Sequence, residues 1–168
     1  MTADFSIIKP EDIKENLFSL IADRWALLTA GEKGNFNTMT VSWGSFGELW
    51  NEKIAIAYVR PQRHTFGFTN RYKYYTLSFF PEEHREALKF CGSHSGRDTD
   101  KMEETGLTPL FDDNSIYYEE ANLVLKCRKL YQDDIKPENF LEEWINEKYP
   151  EKGYHRFYIG EIIEVLKK

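Results

Sequence analysis

The chain alternates short apolar, β-branched segments with links mostly too brief for parallel crossovers, and this pattern limits the fold more than any other feature. Trp25–Gly31 (WALLTAG) reads as a strand ending in the turn GEKGN. Phe36–Ser45 (FNTMTVSWGS) reads as the next, carried by FGELW through a bend into Lys53–Arg60 (KIAIAYVR). Residues 54–59 are apolar at every position, as in a strand buried on both faces. Tyr74–Phe80 (YYTLSFF), Asn122–Tyr131 (NLVLKCRKLY, read as half-buried) and Tyr154–Leu166 (YHRFYIGEIIEVL) complete at least six strands. An antiparallel barrel fits them better than a doubly wound sheet. Short helices are expected between strands. One lies on EEHREALKFC after Pro81, one on SGRDTDKMEETG with Ser95 as N-cap, and an amphipathic one on PENFLEEWINEKY.

With 168 residues, no repeat and no low-complexity linker, residues 1–168 are read as a single domain. The net charge of −6 argues against a broad basic face for nucleic acid. No apolar run approaches the roughly 20 residues of a membrane helix. The opening MTADFSIIKPEDIKEN has no apolar signal core, so a cytoplasmic protein with free thiols is expected. Cys91 and Cys127 form no metal or redox spacing, and the four histidines show no paired-ligand spacing. Cys91 shares a helix face with His84 and Leu88 and reads as core rather than nucleophile. No carboxylate pair stands out for acid–base work, which suits a protein whose reactive atom belongs to a bound cofactor.

Three clusters bear chemistry. In FNTMTVSWGS, Thr38, Thr40 and Ser42 alternate with Met39, Val41 and Trp43, so an extended chain puts hydroxyls on one face. That face is either solvated or lines a site. RPQRHT places Arg60, Arg63 and Thr65 after a buried strand, where they either pair with surface acids or hold a phosphate. CGSHSGRDTDK brings two glycines, two serines, Arg97 and Lys101 to a helix start, which is either a capped loop or an anion site.

Taken in order, FNTMTVSWGS, RPQRHT, TLSFF, CGSHSGRDTDK and YHRFYIGEI resemble the flavin reductase-like family with the FMN-binding split-barrel fold, most of all its flavoredoxin-type members. The resemblance implies a six-stranded antiparallel split barrel with helical insertions, forming a homodimer with one FMN per subunit. By similarity, Thr38, Met39, Thr40 and Ser42 line the isoalloxazine ring through backbone and hydroxyls, Trp43 packs close to it or shapes its pocket, and Asn37 is a further cofactor-binding residue. Arg60, Arg63, Thr65, Ser95, Arg97 and Lys101 hold the ribityl phosphate, Ser78 and Phe79 form another wall, and His64, which stands where an aromatic is common in the family, and Cys91 are further cofactor-binding residues. The implied activity is hydride transfer from NAD(P)H to flavin N5, with electrons passed to a flavin, ferric or protein acceptor. The alternative it leaves open is a non-catalytic FMN carrier or storage protein.

Overall fold

The computed structural model describes residues 4–168; the first three residues of the opening segment, part of the stretch read above for a signal core, lie outside the described residues. Ten strands and four short α-helices follow in the order β1 (Ser6–Ile8), α1 (Leu17–Ser19), β2 (Ala26–Glu32), β3 (Asn35–Val41), β4 (Gly44–Leu49), β5 (Glu52–Val59), α2 (Thr65–Arg71), β6 (Tyr74–Phe79), α3 (Arg85–Ser93), α4 (Lys101–Thr105), β7 (Pro109–Phe111), β8 (Ile116–Tyr118), β9 (Leu123–Asp134) and β10 (Arg156–Lys167). All pairings are antiparallel. The main sheet runs β3-β2-β6-β9-β10-β5-β4, with β1 on the far end of β10, and β7-β8 form a separate ribbon.

The six expected strands are the body of this sheet. β1 and the β7-β8 ribbon are additional, and FNTMTVSWGS divides into two strands where one was expected. The division shapes the molecule. β3 and β4 lie at opposite ends of a seven-strand path, yet only Ser42 and Trp43 separate them. A flat sheet would hold its end strands about 29 Å apart at ~4.8 Å per strand. The chain from Val41 to Gly44 spans at most about 11 Å. The sheet must therefore curl until its ends nearly meet, giving a barrel split at Ser42–Trp43.

Side-chain alternation builds two cores on the two faces of the curled sheet. Inside the barrel lie Leu28, Met39, Val41, Ala55, Ala57, Tyr75, Leu77, Leu125 and Tyr158, among others. Outside, Leu27 and Val124 pack against Leu88 and Cys91 of α3, with Leu107 and Tyr118. This outer layer explains why Leu123–Cys127 are all buried rather than half-buried. Conversely, Ile56 and Tyr58 of β5 are only partly buried, so that strand is not covered on both faces as its composition suggested.

Two helical expectations fail for local reasons. Asp100, not Ser95, caps α4, accepting from the amides of Met102 and Glu103; Ser95 Oγ instead accepts from the Arg97 amide in a turn. PENFLEEWINEKY forms two 3₁₀ turns, Pro137–Asn139 and Glu143–Lys148, instead of an amphipathic α-helix. Leu141 remains 95% exposed, so no core face stabilises a longer helix. No helix among the described residues is long and apolar enough to cross a membrane.

Tyr75 spans the barrel interior and donates to the Ala55 carbonyl at 2.7 Å. Its ring leaves no space beside Gly160, where an added Cβ would sit 2.5 Å from the tyrosine oxygen. Gly160→Ala should destabilise the fold by about 1–3 kcal/mol through overpacking, read as a lower urea midpoint at unchanged slope. An unchanged midpoint would show that Tyr75 does not fix the barrel diameter.

Candidate functional site

The split opens onto a cleft of about 250 Å³ bordered by Met39–Trp43, Tyr58, Arg60, Arg63 and His155. As an end strand, β3 presents one unpaired backbone edge. Its two faces are spoken for. Met39 and Val41 enter the barrel core. Thr38 Oγ1 donates to the Leu28 carbonyl and contacts Thr29 Oγ1 at 2.9 Å, which in turn meets the Tyr118 hydroxyl at 3.0 Å. Thr40 Oγ1 donates to the Leu88 carbonyl of α3. The Thr38 and Thr40 hydroxyls of FNTMTVSWGS are thus taken up by hydrogen bonds within the protein, while Ser42 on the same face stays exposed. The backbone of residues 39–42 and the exposed Ser42 and Trp43 border the cleft instead.

Beside this cleft lies a cradle of about 190 Å³ whose lining includes Asn37, Arg63, His64, Thr65, Ser95, Arg97 and Lys101 and no carboxylate. Arg63 borders both concavities. Local sequence explains the convergence. Pro61 follows β5, and the turn Arg60–Arg63 leads directly into α2. Gly92 lets α3 approach β3, since a Cβ there would come within 3.3 Å of Thr40 Cβ. Gly96 lets the following loop close on β3, since a Cβ would fall 2.0 Å from Asn37 Oδ1. Asn37 Nδ2 donates to Thr65 Oγ1 at 2.7 Å, joining β3 to α2.

Lys101 is 5% exposed and donates to two main-chain carbonyls, Thr38 at 2.7 Å and Cys91 at 2.9 Å. It therefore fastens β3 to the C-terminal end of α3, where carbonyls lack helical partners and a cation is favoured. Burial lowers its pKa to about 8, and the nearby Arg63 charge adds to this. The Arg63 side chain is partly buried and, among the described residues, its guanidinium donates to the Cys91 carbonyl alone, at 3.4 Å. Burial, with the charge of Arg60, lowers its pKa too. Arg97 is exposed and reaches the Gln62 carbonyl at 3.5 Å. Arg60 is directed partly away, donating to the Lys148 carbonyl and lying over the Tyr149 ring. None of Arg60, Arg63, Arg97 or Lys101 makes an ion pair among the described residues, although the chain is acidic.

Three expected site residues are elsewhere. Ser78 and Phe79 are fully buried in β6, which runs between β2 and β9, and border none of these concavities. Ser78 Oγ has no hydrogen-bond partner among the described residues. Cys91 contributes only its carbonyl. Its thiol is buried in the outer core, with burial pushing its pKa up to about 11, so it is no nucleophile at neutral pH. No group of three or more metal-ligating side chains occurs among the described residues.

His155 is a site residue that its sequence position alone did not single out. Its Nδ1 lies 2.8 Å from the Tyr149 hydroxyl, and its ring is 5.1 Å from that of Trp43. Only strand pairing between β5 and β10 brings it beside Tyr58 and Arg60. Burial, then the Arg60 charge, lowers its pKa to about 4, so it is neutral at pH 7.

The family described as flavin reductase like domain matches residues 18–167, and the chain belongs to it. No curated protein matches the sequence. Solved structures share the fold. An FMN-binding protein from Thermus thermophilus with bound p-hydroxybenzaldehyde is 16% identical, with a TM-score of 0.69 over 96% of this chain and 81% of that one. A flavoredoxin from Methanosarcina acetivorans is 22% identical, with a TM-score of 0.67 over 94% and 76%. An NADH:FAD oxidoreductase from Streptomyces globisporus, in complex with NAD and FAD fragments, is 12% identical, with a TM-score of 0.64 over 86% and 74%.

The low pKa of His155 has a stability consequence. Between its ordinary value near 6.5 and about 4, the unfolded chain takes up a proton that the folded chain refuses, so stability falls as pH falls. Urea midpoints measured from pH 7 to 4.5 should decline less steeply for His155→Gln than for the parent chain. Identical slopes would mean that His155 titrates normally.

Proposed function

We propose that the chain is an FMN-dependent oxidoreductase of the flavin reductase type. The observation that carries this reading is the cradle: Arg63, Arg97 and Lys101 converge without a carboxylate in a protein of net charge −6. Partly desolvated cations without counter-charges are costly, and an anionic ligand removes that cost. The donor set suits a phosphate monoester. Lys101 has one N–H left after its two carbonyls, and Arg63 keeps most of its guanidinium donors. The adjoining cleft suits a planar heteroaromatic ring. Trp43 and Tyr58 offer aromatic surface, and the free edge of β3 offers backbone donors and acceptors.

FMN, when bound, supplies the redox chemistry, taking hydride from NAD(P)H and passing electrons to a flavin, ferric or protein acceptor. The chain's own residues hold and shield it. Arg63 and Lys101 anchor the phosphate, with Arg97 and Thr65 at its rim. Trp43 limits water at the split. Neutral His155, fixed by Tyr149, offers a polar contact to the ring or the reductant without adding charge. A homodimer is part of this proposal. It is supported by exposed aromatic surface, with Trp50 56% and Tyr131 46% exposed and their rings 6.4 Å apart.

Purified protein should be yellow or bind added FMN, and mixing with NADH or NADPH should bleach the flavin within seconds. Bleaching by dithionite alone would instead indicate a carrier. Arg63→Ala should weaken FMN binding by about 1.5–3 kcal/mol. Because Lys101 loses its proton as pH rises through about 8, FMN affinity should fall over that range, and Lys101→Met should flatten the dependence. A colourless protein that ignores FMN would overturn the proposal.

A further inference from the structure

Arg63 borders a third concavity besides the cleft and the cradle. Along α2 runs a groove of about 350 Å³ whose lining includes Arg63, Arg71, Arg97, His64, Phe68 and Tyr72. That volume falls within the ~300–1,000 Å³ typical of small-molecule sites. No carboxylate lines it among the described residues.

The lining has two halves. One is aromatic: the His64 ring meets Phe68 edge-on with centroids 5.2 Å apart, and Phe68 is stacked on Tyr72 at 6.3 Å with 14° between the rings. The other is cationic. None of the three guanidiniums makes an ion pair among the described residues. Those of Arg63 and Arg97 are each held by one long hydrogen bond, and that of Arg71 lies over the Tyr72 ring, 5.5 Å from its centroid. Glu32 accepts from the Tyr72 hydroxyl and stays outside the lining. Guanidinium forks match a carboxylate in a bidentate way, and flat aromatic walls match a ring.

A glycine points to a ligand independently. Gly67 lies inside α2 and borders this groove one helical turn before Arg71. Glycine in a helix interior is less stable than an ordinary side chain. No packing demand explains it, since an added Cβ would meet no described atom within 4 Å. What its missing side chain does is keep the groove open beside Arg71.

We propose that this groove binds a small aromatic carboxylate, which opposes flavin loading by drawing on the Arg63 and Arg97 guanidiniums that also face the cradle. Binding stands on the groove itself; the coupling rests on the cradle being a phosphate site. The coupling is reciprocal, so each ligand weakens the other by the same factor.

The probe is 2-naphthoate, followed by its own fluorescence and by its effect on FMN titrations of the full chain. It should bind the flavin-free chain with a Kd below about 1 mM, at least about tenfold more tightly than the neutral 2-naphthalenemethanol. At saturation it should raise the Kd for FMN at least about threefold. Gly67 and Arg71 border this groove and neither the cleft nor the cradle. Gly67→Leu and Arg71→Ala should each weaken the probe at least about fivefold while leaving FMN alone within about twofold. The urea midpoint of Gly67→Leu should be no lower than the parent's, which shows that the variant folds. A probe Kd above about 10 mM, or equal binding of the alcohol, overturns the inference. So does an effect on FMN that survives both variants, which would place the probe in the flavin cleft. An FMN affinity unmoved by bound probe overturns the coupling. Probe binding in a chain that ignores FMN removes the cradle reading and the coupling with it, whereas FMN binding without probe binding removes this groove alone.

Discussion

The structure depends on a link of two residues. Ser42 and Trp43 join strands at opposite ends of the main sheet, and the reach of the chain forces those ends together. Closure is incomplete there, because two residues that cross between strands cannot continue either ladder. The opening therefore has an apolar barrel core behind it, a free strand edge on one side and Trp43 at its mouth. A cleft suited to a flat ligand follows from the topology before any side chain is chosen.

The polar half of the site follows from a second constraint, the docking of α3 on β3. That contact is close at Gly92, and it brings the open carbonyl end of α3 toward the strand. Lys101 satisfies the Cys91 and Thr38 carbonyls together, so one buried ammonium fixes both walls of the cradle. Its role is first architectural and only then electrostatic. Arg63 is positioned by the same Cys91 carbonyl from the other side. Two cations meeting at one carbonyl, neither of them in an ion pair among the described residues, raise the local potential in a protein whose overall charge would repel an anion.

Much of this was legible in the sequence. The six main strands announce themselves by short apolar and β-branched runs, some alternating and one apolar throughout, and the Arg63, Arg97 and Lys101 clusters stand out against an acidic background. What was not legible depends on contacts distant in sequence. The Thr38 and Thr40 hydroxyls read as a ligand face because nothing local shows that α3 and Tyr118 cover them. Ser78 and Phe79 lie in a strand whose central place in the sheet is set by its neighbours. The segment 137–149 has helical periodicity but no surface to pack on, so 3₁₀ turns win. His155 enters the site through pairing with β5, a register that its own segment does not encode.

The central claim is that the carboxylate-free cradle exists to hold a phosphate. Comparing FMN with riboflavin, which shares the ring and lacks only the phosphate, tests it most directly. If the cradle anchors the ligand, FMN should bind at least on the order of 100-fold more tightly than riboflavin at pH 7, from two or more charge-assisted contacts. Equal affinities would show that Arg63, Arg97 and Lys101 serve the fold and not the ligand.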